Sequence, residues 1–300
     1  MNEIKSNGKL VKLKSPKEFN ELVKQWRTLK DYLLGDEYLG DYAEELINYY
    51  QPRIDASCYA FKPNLVEKAP GNIDRLGESL RGPVYSCEKY EWPMQSGHPM
   101  TPLIQLDLST CSTLGREKVG DGLLQVFMGH EKFMPWDALV RVIPKKEVSL
   151  DKLLPMPNFD RDIKPFANID WAFDIPNAGQ KKSSALQIEG YSDPIFSMHH
   201  LDTLDERTDI EDLISLGITA EEIDKFNLSI ENCLNKYQTD GSHLFGTFFP
   251  IQYQACERGK PLFCFEEEDG FNFGMGNGQI FFEKGNRSKA KIFSFDWSCS

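Results

Sequence analysis

The chain has 300 residues, 40% hydrophobic and 27% charged, with a formal net charge of −12. That length and balance predict a folded protein with a substantial core and argue against disorder. The acidity argues against nucleic acid as a partner, because phosphate contacts need clustered Lys and Arg. No stretch approaches the roughly 20 apolar residues of a membrane span, and the basic N-terminus MNEIKSNGKLVKLKSPKEF lacks an apolar run of signal-peptide length. Seven cysteines (58, 87, 111, 233, 256, 264 and 299) form no C-x-x-C pair. This speaks against a disulfide framework or a zinc site and fits a reducing cytoplasm.

In chain order, the first expected element opens at Ser15. Ser15, Pro16 and Glu18 read as N-cap, N1 and N3 of a capping box. Phe19, Leu22, Val23, Trp26, Leu29 and Leu33 follow at helical spacing. A second helix is expected over Tyr38 to Tyr50, stopping before Pro52. From Ser57, CYAFKP alternates like a strand, and a loop-rich stretch follows with Pro70, Gly71, Gly77, Gly82 and Pro83. PLIQLDL (Pro102 to Leu108), GLLQVFM (Gly122 to Met128) and ALVRVIP (Ala138 to Pro144) are short strand-like runs. Residues 145–183 read as an irregular excursion, and ALQIEGY (Ala185 to Tyr191) returns to the sheet.

Thr208-x-x-Glu211 predicts a short capped helix ending at Gly217. Thr219-x-x-Glu222 predicts a longer one carrying Ile223, Phe226, Ile230, Cys233, Leu234 and Tyr237 on one face. The C-terminal segments LFGTFFPIQ, PLFCFEE, GQIFFEK and AKIFSFDW are again strand-like, divided by glycine-rich turns.

The fold expected is α+β with mostly antiparallel sheets, as a single domain over 1–300. Its subregions are a helical N-terminal extension (1–56), a first sheet unit (57–144), the excursion (145–183), an acidic helical segment (184–240) and a second sheet unit (241–300). PLIQLDL followed by GDGLLQVFMG resembles PLFCFEE followed by GNGQIFFEKG, and suggests that the two sheet units repeat one another.

The segments GPVYSCEKYEWP, PLIQLDL, GDGLLQVFM, HLFGTFFPIQ and PLFCFEEEDGFNFGMGNGQIFFEKGNRSKAKIFSFDW resemble the bacterial YwqG-like family, of uncharacterised function. The resemblance covers roughly 57–300 and is poorest at 145–183. The family's Ser-x-x-Gly-Gly-x-Pro element is reduced here to Gly82-Pro83. Some members look to be encoded beside polymorphic secreted toxins, so the resemblance implies an immunity-type role, a cytoplasmic protein that caps a toxin.

No G-x-S-x-G elbow and no G-x-x-x-x-G-K-[ST] loop occurs in the sequence. Gly274-Met275-Gly276-Asn277-Gly278 precedes an aromatic strand where a dinucleotide loop needs a helix, so it reads as a hairpin turn. His199-His200-Leu201-Asp202 is the best metal candidate, but adjacent histidines on a strand point to opposite faces, and a solvated turn is the reading favoured. His98, His130 and His243 stand alone. LISLGITAEEIDKF resembles a helix-turn-helix, yet opens its second helix with Ala220, Glu221 and Glu222, the wrong sign for DNA. No cofactor and no metal are expected.

Charge is the strongest functional signal. Residues 202–224 carry nine acidic side chains and one basic, a net −8 of the total −12. Asp202, Asp205, Glu206, Asp209, Glu211 and Asp212 are the expected partner-binding residues, offering a basic protein, such as a toxin domain, electrostatically steered association. The competing readings are a solvated helical face, an enzyme built from scattered His, Asp and Cys, and a small-ligand sensor with a pocket at the aromatic sheet ends.

Overall fold

The computed structural model describes residues 2–6, 9–35, 40–115, 118–130, 138–159, 169, 185–198, 200–237, 241–247, 259–266, 269–271, 276–284 and 291–298. The chain is α+β: a short hairpin and two helices precede antiparallel sheets interrupted by a helical insertion. A hairpin of β1 (Asn2–Ser6) and β2 (Lys9–Leu13) opens it. Order therefore begins before Ser15, and the Asn-Gly dipeptide between these strands is the hairpin signal in the sequence.

Helix α1 (Lys17–Gly35) buries Phe19, Leu22, Trp26, Leu29 and Leu33, the face its spacing predicts. The capping box on Ser15 is replaced by a longer reach: Lys236 Nζ and Tyr237 OH donate to Glu18 at 2.5 and 2.7 Å. Helix α2 (Gly40–Ala56) continues through Pro52 where a stop was expected. The proline costs one hydrogen bond to the carbonyl of Asn48, but Asn48 and Pro52 are both exposed, so water can take that carbonyl. Burial of Ile54 and the Trp26 Nε1 to Gln51 Oε1 bond (3.0 Å) hold the last turn.

Then follow β3 (Cys58–Phe61), β4 (Pro63–Lys68), β5 (Glu78–Leu80), the small hairpin β6 (Met94–Gln95) and β7 (His98–Pro99), and β8 (Thr101–Asp107). Next come α3 (Leu108–Leu114), β9 (Leu123–Met128) and β10 (Ala138–Ile143). Two short 3₁₀ turns, Lys145–Glu147 and Leu150–Lys152, begin the excursion. Residues 160–168 and 170–183 of it lie outside the described residues. β11 (Ala185–Tyr191) and β12 (Ile195–Ser197) lead into α4 (Leu204–Arg207), α5 (Ile210–Ser215) and α6 (Ala220–Tyr237). β13 (His243–Phe245), β14 (Lys260–Glu266), β15 (Asn277–Lys284) and β16 (Lys291–Ser298) close the chain. Gly274 and Met275 of the expected glycine turn lie outside the described residues.

The first sheet is ordered β10-β9-β8-β5-β11-β4, and the second, read from its other edge, β16-β15-β14-β13-β3-β12. One order becomes the other when each strand from 58–143 is exchanged for its counterpart in 185–298. The two units are therefore topological repeats related by a pseudo-two-fold. They also exchange strands: β3 of the first unit pairs with β13, and β11 of the second pairs with β5. The sheets do not divide at 145–183, and the expected first sheet unit gives β3 away. At the crossing, Lys62 N–H donates to Ser192 Oγ (3.0 Å) and Ser192 N–H to Lys62 O (2.8 Å).

Strand alternation sorts the side chains. Leu80, Ile104, Val126 and Ile188 from one sheet meet Phe61, Leu244, Phe263 and Ile280 from the other in a shared core. On the outer face of the first sheet, Gln187, Ser79, Gln105, Gln125 and Arg141 stand in register across five strands. Gln105 Oε1 accepts from Tyr85 N–H (2.8 Å), and Gln125 Nε2 donates to Tyr85 O (2.8 Å), which pins the following loop to the sheet. A second core joins α1, α2 and α4 to α6 around Trp26, Tyr50 and Phe226. No helix among the described residues is long and apolar enough to cross a membrane.

Candidate functional site

The acidic segment folds as three successive helix starts. Thr203 N–H donates to Glu206 Oε2 at 2.8 Å, opening α4, a cap the sequence reading missed. Asp209 caps α5 by accepting from Glu211 N–H at 2.9 Å, taking the place expected of Thr208. Thr219 and Glu222 form the expected box on α6: Thr219 N–H donates to Glu222 Oε2 (2.9 Å), and Glu222 N–H to Thr219 Oγ1 (3.3 Å). Carboxylates favour helix N-termini, where unsatisfied N–H groups and the dipole are positive. Three starts in a row thus collect acid on one side of the molecule.

Asp205, Glu206, Asp209, Glu211 and Asp212 are exposed. Asp205 accepts from Asn227 Nδ2 at 2.8 Å, fixing α4 against α6. Glu44 and Glu45 of α2 are exposed as well. The face gathers around Tyr42, whose hydroxyl is pushed up to about 12 by burial, with the charges of Asp212, Asp209 and Glu45 adding to it. Arg207, the one base between 202 and 224, turns its guanidinium over the Tyr49 ring at 4.1 Å and lies 3.7 Å from Glu45.

Asp202 departs from the expected set. It is 9% exposed, 3.2 Å from His200 Nε2 and 3.9 Å from Arg207. Its N–H donates to Tyr49 OH, and its carbonyl accepts from Tyr50 OH, both at 3.0 Å. Asp202 therefore ties the insertion to α2, and the exposed carboxylates are the other five.

Among the described histidines, His200 lies against Asp202, and the charge of His98 reaches His130. His199 lies outside the described residues. His130 Nε2 is 2.7 Å from Pro99 O and His243 Nδ1 is 2.8 Å from Gly241 O; burial pushes both imidazoles below their ordinary range. Among the described residues no three His, Cys, Asp or Glu gather as a metal site. Cys87, Cys111, Cys233 and Cys264 are buried thiols.

A second place was invisible in the sequence. A cleft of about 320 Å³ opens between β5, the end of β8 and β11, lined in part by Lys68, Asp74, Glu78, Asp107, Thr110 and Glu189. Glu78 is 8% exposed; its Oε1 accepts from Asp107 N–H and Tyr191 OH, each at 3.1 Å. Burial pushes its carboxyl up to about 7, against the lowering pull of both hydrogen bonds. Burial also holds the Tyr191 phenol and the Cys111 thiol well above their ordinary values.

The pseudo-two-fold supplies an internal control. The strand pairs Ser79↔Gln105 and His243↔Cys264 are equivalent, so Glu78 corresponds to Ser242 and Asp107 to Glu266. Glu266 N–H donates to Ser242 Oγ at 3.1 Å, the same bond that Asp107 N–H makes to Glu78. A neutral hydroxyl suffices for it, so the buried carboxyl at 78 exceeds what the sheet requires.

The chain matches no family model, and no curated protein matches it.

Proposed function

We propose that this is a binding protein that engages a basic protein partner through the carboxylate face of α4 and α5. The observation that carries the reading is the outward placement of Asp205, Glu206, Asp209, Glu211 and Asp212, with Glu44 and Glu45 alongside. Such a face raises the encounter rate with a positive surface and disfavours acidic competitors. The YwqG-like resemblance narrows the proposal to an immunity-type role in the cytoplasm, the partner being a secreted toxin domain.

The test compares wild-type chain with Asp209→Lys/Glu211→Lys/Asp212→Lys as bait in extracts of the native host, at low and high salt. A basic protein retained by wild type at low salt, released at high salt and absent from the variant supports the reading. An identical captured set for both baits removes the acidic face from it.

A second reading, acid–base chemistry at Glu78, is favoured by a carboxyl near pH 7 beside Asp107 in an open cleft. Its test is loss of a measured turnover on Glu78→Gln with the fold intact.

A further inference from the structure

We propose that a second site, independent of the acidic face, takes a small amphiphile with an apolar body and a zwitterionic head, of the kind a free aromatic amino acid presents. The site is a cavity of about 430 Å³ between the second sheet and the helices, within the range of small-molecule pockets, about 300–1,000 Å³. Phe61, Phe245, Pro261 and Phe282 form its sheet side. Pro52 and Ala56 from the end of α2, and Leu114 and Gly115 from the end of α3, add to the lining.

Its aromatic wall is held in place at a conformational cost. Phe245 has φ +56° and Gly246 φ +81°, so two consecutive residues are left-handed, and the first is a bulky aromatic. The Phe245 ring takes the space that a side chain at Gly115 would need, and stands edge-on to Phe61 at 6.4 Å. A Cβ at Gly246 would come within 2.8 Å of Ala60 Cβ and 2.9 Å of the His243 ring.

The two units carry different side chains at the position that lines this cavity. Phe245 corresponds to Arg81, which is also left-handed at φ +50°. The Arg81 guanidinium lies 6.0 Å from the Phe271 ring centre and against Gly270. The second unit has the shorter, flat Phe245 there, and the end of α2 lines the cavity beside it.

The mouth specifies the head group. Among the described lining residues the full charges are Asp55 and Lys260, both exposed. A simple aromatic acid would match Lys260 alone, and a simple amine Asp55 alone. A head with both signs satisfies the pair.

The experiment is calorimetric titration of the full chain with L-phenylalanine, 3-phenylpropanoate and phenethylamine. Saturable L-phenylalanine binding is expected, about tenfold or more tighter than either singly charged probe. Ala56→Trp, filling the cavity from the exposed end of α2, should abolish it. Lys260→Glu should weaken it about tenfold, and as an exposed change it carries the test should Ala56→Trp not fold. No saturable binding of any probe, equal binding of all three, or binding indifferent to the variants would overturn the proposal. Each of those results leaves the acidic-face reading standing.

Discussion

Phe245 and Gly115 interlock across the pseudo-two-fold: a Cβ at residue 115 would lie 2.9 Å from Phe245 Cε2 and nearer still to Cζ. The mirror contact joins Arg81 and Gly270, where a Cβ would lie 2.8 Å from the guanidinium carbon. Each unit thus inserts a left-handed residue against a glycine of the other, so the two sheets lock as one body.

Gly115 itself sits at φ −76°, so Gly115→Ala introduces steric conflict without backbone strain. It should cost about 1–3 kcal/mol of unfolding free energy, the usual range for overpacking. Combining it with Phe245→Ala should recover part of that loss, a coupling measurable by urea denaturation in a double-mutant cycle. Strict additivity would mean the two residues do not interlock in solution.

Glu78 gives a pH signature of definite sign. Its folded pKa, about 7, lies above the ordinary 4.5. The folded chain holds the proton more tightly, so this group's stabilisation is fully present below pH 4.5 and is lost as pH rises through 7. The span corresponds to about 3 kcal/mol at most. Glu78→Gln preserves an acceptor for Asp107 N–H and removes the titration. The variant should be more stable than wild type at pH 8, with the advantage vanishing near pH 4.5. Parallel stability curves for the two proteins across that window would refute the assignment.

Tyr49 and Tyr50 hold the two backbone polar groups of Asp202: the Tyr49 hydroxyl accepts from its N–H and the Tyr50 hydroxyl donates to its carbonyl. Tyr49→Phe keeps the ring between the Arg53 and Arg207 guanidinium groups, 4.0 and 4.1 Å from its centre. It deprives the buried Asp202 N–H of its acceptor, an expected loss of about 1–3 kcal/mol. Chemical denaturation measures it, and a change under a few tenths of a kcal/mol would show that water replaces the phenol.

Much of the fold was legible because its signals are local. The alternation in PLIQLDL, GLLQVFM and ALQIEGY gave β8, β9 and β11, and the apolar stripes gave α1 and α6. The misses follow from short or competing patterns. β5 is three residues lying between Gly77 and Gly82, and α3 begins on the last apolar residue of an alternating run, with Asp107 accepting from Ser109 N–H. The exchange of β3 and β11 between sheets has no local signature, since pairing partners are set by tertiary packing. Of the three acidic helix starts, the Thr219–Glu222 box was readable in place, the α5 cap fell on Asp209 one residue after the expected Thr208, and the α4 start was missed. The inward turn of Asp202 depended on Tyr49 and Tyr50, far off in sequence. Glu78 carried no signal, because its burial is completed by Tyr191, 113 residues away.

The most direct measurement of the central proposal is the association rate of the captured partner as ionic strength rises. With the acidic face as the steering surface, the wild-type rate should fall about tenfold or more between low and high salt, and the Asp209→Lys/Glu211→Lys/Asp212→Lys rate should start low and change little. Equal rates with equal salt dependence for the two proteins would contradict it.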